Sequence, residues 1–481
     1  METVEAALKR LFEGRFAEPV RAVAPLKSDG SARRLFRLSG ETSSAIGVHG
    51  PDARENRAFL AFSRQFRTVG LSVPEIYAEE PARGVYLEED LGDTTLFEFL
   101  SANRSRDKLD PPVVDIYRQT VRVLPRFQIV AHRALDYGLC HPRSSFDRQS
   151  MMWDLNYFKY YFLRLAKVPF NEQALEDDFQ RFTEFLLEAP GDYFLYRDFQ
   201  SRNVMVRGGR PWFIDYQGGR RGALQYDIAS LLFDAKADLP FDLRQELLGL
   251  YLETAGALAP LDRQAFLTYY PAFVLIRIMQ ALGAYGLRGF YEGKSHFLQS
   301  IPYAIRNLEY LVRTTELPVE LPELSAVFKR LVAASTLRKF GDASLKLTVR
   351  VQSFSYRSGV PTDEKGHGGG YVFDCRALPN PGQFERFSRV DGRNPDVIAF
   401  LEQEPAVQRF LAHVYGLVDQ AVETYQSRNF TDLLVAFGCT GGHHRSIYCA
   451  EELARHLRER YDVDVEVRHL EAERADGSGA G

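Results

Sequence analysis

The sequence predicts an α+β domain with two lobes over residues 1–315, followed by a separate α/β domain over residues 346–475. Three observations support this prediction. The first hundred residues alternate short β-like runs with turns, and residues 111–187 form a long, aromatic-rich helical pattern. Beyond residue 346, strand, loop and helix follow one another in the order typical of α/β domains. Residues 316–345 contain prolines and a Gly-Asp turn, and we interpret them as a linker.

Length, composition and charge narrow the class of protein. The chain has 481 residues, of which 45% are hydrophobic and 26% charged, so its composition is that of a globular protein with more than one core. A net charge of -4 gives no overall attraction to nucleic acid or to an anionic membrane. The first sixteen residues form a charged amphipathic helix pattern instead of a signal peptide, and the four cysteines form no CxxC pair. We therefore expect a cytoplasmic protein with no membrane partner.

The first lobe has a clear order of elements. Residues 33–40 and 43–50 predict a β-hairpin that turns at Glu41-Thr42. A helix is predicted from about Glu55 to Val69, followed by strands within residues 73–80 and 84–92.

A short polar motif in the second lobe predicts chemistry. Asp198 and Asn203 lie in the segment YRDFQSRN, and Asp215 ends the apolar run WFI. Phosphoryl transfer requires a carboxylate near the attacking hydroxyl and hard oxygen ligands for the magnesium that bridges the ATP phosphates. The spacing therefore predicts that Asp198 accepts the hydroxyl proton and that Asn203 and Asp215 hold Mg²⁺.

This motif, continued by IDYQGGRRGALQYDIASLL, resembles that of the aminoglycoside-phosphotransferase family. Within the family it is most similar to the anomeric kinases of N-acetylmuramate and N-acetylglucosamine. The likeness extends through SDGSARRLFRL and GVYLEEDLGDTTLFEFL and covers residues 1–315. It implies a protein-kinase-like fold, ATP and Mg²⁺ as cofactors, and phosphorylation of a hydroxyl on a small molecule, with a cell-wall amino sugar as the favoured substrate.

The resemblance also implies roles for residues outside the motif. Asp227 would brace the catalytic loop as a structural residue. The nucleotide-binding residues would come from a loop over the phosphates and from the strand that enters the adenine-binding hinge: Ser28, Asp29, Gly30, Ser31, Glu88 and Asp90.

One departure from the kinase pattern bears on activity. Kinases usually carry a lysine on the third strand, paired with a glutamate of the next helix, but SSAIGVHG contains no lysine. Glu55 takes the helix position, and Arg33, Arg34 or Lys27 are the candidates for the positive charge. A nucleotide-binding protein without catalytic activity is therefore an alternative. The intact catalytic motif favours an enzyme.

The sequence leaves the substrate open. The aromatic stripe MMWDLNYFKYYF fits either a sugar-stacking surface or core packing, and its helical spacing favours core. Trp153 and Asp154 receive no role. Choline, a hydroxy amino acid and an aminoglycoside are alternative substrates in this family.

The C-terminal domain contains a glycine loop, GCTGGHHRS, between an apolar strand and an amphipathic helix. Backbone N–H groups of such a loop form an anion cradle. The Cys-x5-Arg spacing is also that of cysteine phosphatases, in which the cysteine is the nucleophile. Because no general acid is evident, a phosphatase with Cys439 as nucleophile is a minor alternative. The two adjacent histidines lack a third metal ligand in the sequence pattern.

The loop closely resembles the GCTGGxHRS segment of the RapZ C-terminal domain, as do SFSYRSGVP, YVFDCRALPNP and AFLEQEPAVQRFL within residues 346–470. The resemblance implies a pocket for a phosphosugar or similar anion, formed by Asp374, Arg376, Cys439, Thr440, Gly441, Gly442, His444 and Arg445. We expect this domain to bind, and so to sense, the class of phosphosugar that the first domain produces.

RNA is a weaker candidate partner. In RapZ this domain also binds a regulatory RNA, which makes a non-catalytic regulator or RNA-binding adapter the alternative function. Residues 341–481 carry more acidic than basic side chains, which opposes nucleic-acid binding, although Arg357, Arg376, Arg386, Arg389 and Arg393 offer a local basic patch. The Walker-type motif of RapZ's own N-terminal domain does not occur in this sequence.

Overall fold

The computed structural model describes residues 3–26, 32–105, 108–338, 340, 347–362, 370–427 and 432–477. The chain divides into two compact units, which are Met1–Gly283 with Pro302–Leu337, and Ala284–Ile301 with Arg338–Gly481. We refer to them as the first and the second unit.

The first unit opens with a five-stranded antiparallel sheet in the order β1-β2-β3-β5-β4. Its strands are β1 (Ala22–Leu26), β2 (Arg34–Ser39), β3 (Ser44–His49), β4 (Ile76–Glu80) and β5 (Val85–Glu89). The expected hairpin is present as β2 and β3, with Arg34 opposite His49 and Ser39 opposite Ser44. Helix α1 (Val4–Phe16) buries Leu8 and Phe12 against this sheet, and α2 (Ala53–Thr68) begins at an Asp52 N-cap.

The remaining strands of the first unit are short, and two antiparallel pairs of them flank the polar motif. Strand β8 (Tyr193–Leu195) pairs with β11 (Arg220–Gly222), and β9 (Val204–Arg207) pairs with β10 (Arg210–Phe213). Strands β6 (Arg104–Ser105) and β7 (Lys108–Leu109) form a third pair. The β9–β10 turn uses Gly208 and Gly209, both with positive φ, which glycine adopts without steric cost.

Helices form most of the rest of the chain. In chain order they are α3 (Leu96–Ala102), α4 (Pro111–Pro125), α5 (Arg148–Phe158), α6 (Glu172–Leu187), α7 (Gln225–Leu232), α8 (Phe241–Leu258), α9 (Arg263–Tyr285), α10 (Ser295–Leu298), α11 (Ile301–Thr314), α12 (Pro322–Ala333), α13 (Ser335–Arg338), α14 (Pro395–Glu402), α15 (Pro405–Ser427), α16 (Arg445–Arg460) and α17 (Leu470–Gly477). By length and composition alone, the helical segment Arg263–Tyr291 is apolar enough to cross a membrane. Because 61% of its apolar window is buried inside the protein, it also fits the core helix of a soluble protein.

The segment expected to be a linker contains an ordered helix. In α12 the apolar residues Leu324, Val327 and Phe328 are buried, and the Leu324 amide donates to Asp178 Oδ2 of α6 over 2.7 Å. Helix α12 therefore packs within the first unit, because its apolar face at helical spacing finds a partner in α6. The first unit ends at Leu337, beyond this helix.

The second unit contains a four-stranded parallel sheet in the order β13-β14-β12-β15. The strands are β12 (Thr348–Ser355), β13 (Gly370–Asp374), β14 (Asp432–Cys439) and β15 (Asp464–His469). Central strands β12 and β14 are buried along nearly their whole length, which explains the continuous apolar sequence of β14. The carboxyl ends of β13 and β14 meet at one edge, with Asp374 opposite Gly438. Helix α17 follows β15 directly.

Candidate functional site

The three residues of the polar motif come together after β8. A one-turn helix at Ser201–Asn203 reverses the chain and brings Asn203 back toward Asp198. Asn203 Nδ2 donates to the Asp198 carbonyl over 2.8 Å and to Asp215 Oδ2 over 3.1 Å. The turn therefore unites an amide and two acidic residues from two separate segments of the chain.

The Asp215 carboxylate occupies a constrained and electrostatically unfavourable position. Its backbone has a φ of 68°, in the left-handed region, and Gln217 Nε2 donates to its Oδ1 over 2.7 Å. Burial, followed by the negative charge of Asp198, raises the pKa of Asp215 against these hydrogen bonds. A divalent cation at this position would relieve that repulsion.

The donor set fits magnesium. The carboxylate of Asp215 and the amide oxygen of Asn203 are hard oxygen donors, and Asn203 Nδ2 is already used in hydrogen bonds. Within the described residues, no group of three or more His, Cys, Asp or Glu side chains could hold a metal. Kinase-type magnesium sites need only a few protein oxygens, because phosphate oxygens and water complete the coordination.

Asp227 lies beneath the catalytic loop and is fully buried. Its carboxylate accepts the backbone N–H groups of Tyr196, over 2.8 Å, and Arg197, over 3.0 Å, and Gln128 Nε2 over 3.0 Å. Burial raises the pKa of Asp227 to about 7, although these three hydrogen bonds favour the ionised form. The contacts are those of a residue that holds the loop, and they do not reach the reacting groups.

The sequence analysis missed the partner of Arg197. The Arg197 guanidinium forms a two-pronged ion pair with Asp154 of α5, with distances of 2.6 and 2.8 Å, and also donates to Tyr226 Oη over 2.8 Å. Trp153, beside Asp154, is exposed and lies 5.9 Å from the Arg143 guanidinium carbon. The sequence contained only an indirect indication of this pair. A buried arginine needs a counter-charge, and Asp154 is the acidic residue of the aromatic-rich segment MMWDLNYFKYYF.

The predicted nucleotide-binding residues divide into two groups. Ser28, Asp29, Gly30 and Ser31 lie outside the described residues. Asp90, directly after β5, accepts hydrogen bonds from Arg37 Nε over 2.8 Å, Ser44 Oγ over 3.0 Å and the Gly92 amide over 3.0 Å. These contacts anchor the segment after the strand through the Asp90 side chain.

Glu88 carries a buried carboxyl group. Its Oε2 atom is buried and has no hydrogen-bond partner among the described residues. Burial raises the pKa of Glu88 to about 8, in spite of the opposing positive charge of Arg33. A neutral Glu88 is therefore the expected form at neutral pH.

Of the three candidates for the cation that replaces the third-strand lysine, Arg33 has the best position. Its side chain is only 10% exposed, and Nη2 lies 3.9 Å from Glu55 Oε2 of α2. Its guanidinium carbon lies 5.5 Å from the centre of the Phe59 ring. The side chain of Arg34 is exposed, and Lys27 lies outside the described residues. Arg33 is thus the candidate that lies next to Glu55, the glutamate predicted to take the helix position.

In the second unit, the glycine loop wraps around the thiol of Cys439. The Gly442 amide donates to Cys439 Sγ over 3.2 Å, and Ser446 Oγ lies 3.2 Å from the same sulfur. The Thr440 carbonyl accepts Ser355 Oγ over 2.8 Å, which ties the loop to the end of β12. Gly442 has a φ of 72°, a conformation that favours glycine. Gly441 lies between these anchored residues, at the start of the turn into α16.

The other predicted anion-binding residues meet this loop at the carboxyl edge of the sheet. Asp374 pairs with Arg376 over 2.7 Å, and the Arg376 guanidinium carbon lies 4.0 Å from the Tyr356 ring centre. Arg445 donates to the carbonyls of Arg376 and Leu378, so its side chain holds that segment. His444 Nε2 lies 3.0 Å from the Phe387 carbonyl oxygen. Arg445 therefore fixes the segment after β13 through two of its carbonyls, which sequence spacing alone did not indicate.

The local basic patch is partly neutralised. Arg376 pairs with Asp374, and Arg393 pairs with Asp391 over 2.6 Å. These ion pairs reduce the positive potential available to a nucleic acid.

Two protein-family models match the chain. The model described as "Phosphotransferase enzyme family" matches residues 22–265, just over half of the chain, and the model described as "RapZ C-terminal domain" matches residues 347–473. The predicted fold class, an α+β kinase-like domain followed by an α/β RapZ C-terminal-like domain, is confirmed, as is the class of phosphotransferase with a hydroxyl acceptor. A kinase-like fold implies the use of ATP.

The curated relatives match the second unit. A nucleotide-binding protein of Hahella chejuensis is 36% identical over 135 residues, which are 28% of this chain and 45% of the relative. A nucleotide-binding protein of Xylella fastidiosa is 39% identical over 128 residues, which are 27% of this chain and 42% of the relative. The chain thus spans less than half the length of these relatives.

Among solved structures, a choline kinase from Cryptosporidium parvum is similar at 12% identity with a TM-score of 0.43, and the match covers 64% of this chain and 93% of the kinase. The extent of the first family match decides the assignment: residues 347–473 are similar to the RapZ C-terminal domain, and the chain belongs to the phosphotransferase enzyme family.

Proposed function

We propose that this protein is a cytoplasmic, ATP-dependent kinase that phosphorylates a hydroxyl group of a sugar, specifically an amino sugar recycled from the cell wall. One observation carries the kinase part: Asn203 Nδ2 lies within hydrogen-bond distance of both the Asp198 carbonyl and the Asp215 carboxylate. This grouping supplies the base and the oxygen donors that phosphoryl transfer requires.

The residues have distinct roles in this proposal. Asp198 accepts the proton of the attacking hydroxyl, while Asn203 and Asp215 hold Mg²⁺. The bound magnesium ion supplies positive charge to the phosphate oxygens of ATP. Asp227 holds the catalytic loop through the Tyr196 and Arg197 amides.

Arg33 takes the role of the third-strand lysine in this proposal. Its guanidinium is positioned by Glu55 and by the face of the Phe59 ring, and it provides a cation for the nucleotide phosphates. An arginine has a longer reach than a lysine, which suits a residue that enters from the start of β2 instead of from β3.

The test is a screen of ATP consumption by the full chain with N-acetylmuramate, N-acetylglucosamine, choline, serine and an aminoglycoside. We expect turnover with an amino sugar and a loss of about 10²- to 10⁴-fold in kcat for Asp198→Asn. Turnover with only choline or only the aminoglycoside would contradict the sugar substrate and assign that compound's class instead. Nucleotide binding without turnover of any acceptor would favour the non-catalytic regulator instead. The absence of a lysine from the third strand is the observation that supports this alternative.

For the second unit we propose binding of a sugar phosphate in the loop from Cys439 to Arg445. The support is the position of this loop, at the carboxyl edge of a parallel sheet and at the N-terminus of the 16-residue helix α16. Titration calorimetry of the full chain carrying Asp198→Asn, with glucosamine 6-phosphate as ligand, tests it without turnover. We expect binding, and we expect Gly442→Ala to abolish it. The absence of any heat of binding from a folded protein would contradict the proposal. Preferential, salt-dependent binding of RNA would support the adapter alternative.

A further inference from the structure

Gln217 contacts the proposed magnesium ligand Asp215. Its Nε2 atom donates to Asp215 Oδ1 over 2.7 Å, while Asn203 Nδ2 donates to Oδ2 of the same carboxylate over 3.1 Å. Neutral amides therefore hold the carboxylate at both of its oxygens. Such donors fix its orientation without supplying a positive charge, so its negative charge stays available for a cation.

A tight turn carries Gln217. Gln217 and Gly218 are the two central residues of this turn, which the Gly219 amide closes by donating to the Tyr216 carbonyl over 3.0 Å. A Cβ atom on Gly218 would lie 3.9 Å from Asp198 Oδ2. The turn that carries Gln217 therefore lies against the proposed base as well as against the proposed metal ligand.

The oxygen of the Gln217 amide is an unused acceptor. Oε1 is buried and has no hydrogen-bond partner in the part of the chain that the structure describes. The amide cannot be reversed, because an ionised Asp215 only accepts hydrogen bonds and would repel an oxygen at the position of Nε2. A buried acceptor without a donor is unfavourable, so its donor is expected from a bound ligand.

We propose that Gln217 Oε1 accepts a hydrogen bond from a water molecule bound to the magnesium ion, which makes Gln217 a positioning residue of the metal site. The inference rests on the proposed roles of Asn203 and Asp215. Magnesium gives up its water shell reluctantly, and it keeps several waters when it binds to one or two carboxylates and to nucleotide phosphates.

The covalent structure of the amide supports this role. Because Oε1 and Nε2 are bonded to the same carbon, the free oxygen lies beside the carboxylate that would hold the ion. Hydrogen-bond partners around a metal site orient its ligands and contribute to metal affinity. Gln217 would do both, with Nε2 on the ligand Asp215 and Oε1 on the water.

The test measures magnesium affinity without turnover. ADP is titrated calorimetrically into the full chain at a series of Mg²⁺ concentrations, which gives the apparent Kd of Mg²⁺ for the ADP complex. Gln217→Met keeps a similar size but loses the amide, so we expect it to raise this Kd about 10- to 100-fold. The affinity for ADP without Mg²⁺ should stay within about threefold of the wild-type value.

Gln217→Glu separates the two ends of the side chain. It loses the donor to Asp215 but keeps an oxygen for the water, and its added negative charge attracts the cation. We therefore expect a Kd for Mg²⁺ equal to or below that of the wild type. An increase as large as that in Gln217→Met would show that only the contact with Asp215 matters and would overturn the inference.

Gln225→Met is the matched control, since Gln225 is a buried glutamine of α7 whose Nε2 donates to the Phe266 carbonyl instead of to a metal ligand. It should leave the Kd for Mg²⁺ unchanged even if stability falls. If wild-type ADP binding depends on Mg²⁺ and Gln217→Met leaves the Kd for Mg²⁺ unchanged, the inference is overturned and the kinase stands. Wild-type protein that binds no ADP, or that binds it without regard to Mg²⁺, contradicts the inference together with the metal roles of Asn203 and Asp215.

The acceptor substrate is the competing source of a hydrogen-bond donor. If Gln217→Met raises the KM for an acceptor without changing the Kd for Mg²⁺, the free oxygen binds the acceptor and the inference is overturned. A fall in kcat at limiting Mg²⁺ that saturating Mg²⁺ restores is the kinetic result that supports it.

Discussion

Asp154 of α5 holds the guanidinium of Arg197 through hydrogen bonds of 2.6 and 2.8 Å, and this ion pair connects helix α5 to the residue directly before Asp198, the proposed base. Arg197 has a φ of 82°, which an arginine rarely adopts. Both side chains are largely buried. The ion pair therefore helps to hold the catalytic loop in a backbone conformation that it would not favour alone.

The first prediction concerns this pair. Asp154→Asn leaves the Arg197 cation buried without its counter-charge, so we expect the free energy of unfolding to fall by about 2–4 kcal/mol. We also expect kcat to fall more than the KM for ATP changes, because the base Asp198 is displaced while nucleotide contacts remain. Urea denaturation and steady-state kinetics measure the two effects.

The control for Asp154 is Glu184→Gln, which breaks an exposed ion pair with Arg148 of 3.4 Å. It should change the unfolding free energy by less than about 0.5 kcal/mol. Equal effects of the two variants would contradict a special role for the buried pair.

The second prediction concerns nucleotide affinity. Arg33→Gln removes the cation that faces Glu55, so we expect the KM for ATP to rise about 10- to 100-fold with little change in the KM for the acceptor. Arg34→Gln, the adjacent and exposed arginine, is the matched control and should leave both values near those of the wild type. A larger effect from Arg34 would assign the missing positive charge to that residue instead.

The third prediction is a pH dependence of stability that arises from Glu88. Burial raises the pKa of Glu88 from 4.5 to about 8 in the folded state. Between about pH 5 and 8 the folded state keeps a proton that the unfolded state has lost, so this group lowers the unfolding free energy as pH rises. Because one unit of pKa shift corresponds to about 1.4 kcal/mol, the loss should be roughly 3–5 kcal/mol and should level off above about pH 8.

Glu88→Gln removes the titrating group, so the variant should gain stability relative to the wild type between pH 5 and pH 9. Thermal melting across this range measures the difference. Glu79→Gln, on the adjacent strand β4, serves as control because its carboxylate pairs with Arg64 at the surface. Parallel pH profiles for the wild type and Glu88→Gln would refute the prediction.

The fourth prediction uses the two glycines of the C-terminal loop. A Cβ on Gly442 would lie 2.5 Å from Glu471 Cγ and 3.0 Å from the Ser355 amide nitrogen, and the φ of 72° adds backbone strain. Gly442→Ala should destabilise the second unit by about 1–3 kcal/mol and abolish sugar-phosphate binding.

Gly441→Ala is its matched control. The nearest atom to a Cβ on Gly441 is His443 Cδ2 at 3.6 Å, an ordinary contact, so this variant should keep the stability of the wild type. Calorimetric melting and ligand titration of the two variants provide the comparison. Normal binding by Gly442→Ala would show that the loop geometry is not required.

Local pattern made most of the fold predictable. The β2–β3 hairpin, helix α2 and strand β14 follow from residue alternation, apolar runs and turns that act within a few residues. The predicted linker shows the limit of this reasoning. Its prolines suggested a connection, whereas the buried face of α12 depends on α6, more than a hundred residues earlier in the chain.

For the site, the sequence by itself determined that Asp198, Asn203 and Asp215 come together, because their spacing is set by one turn and one hairpin. Only the tertiary structure decided the partners of the charged side chains: Asp154 for Arg197, Glu55 for Arg33, and two carbonyls for Arg445. The physical reason is that a buried charge must find its counter-charge or hydrogen-bond acceptor in space. Spacing along the chain carries no information about partners that come from distant elements.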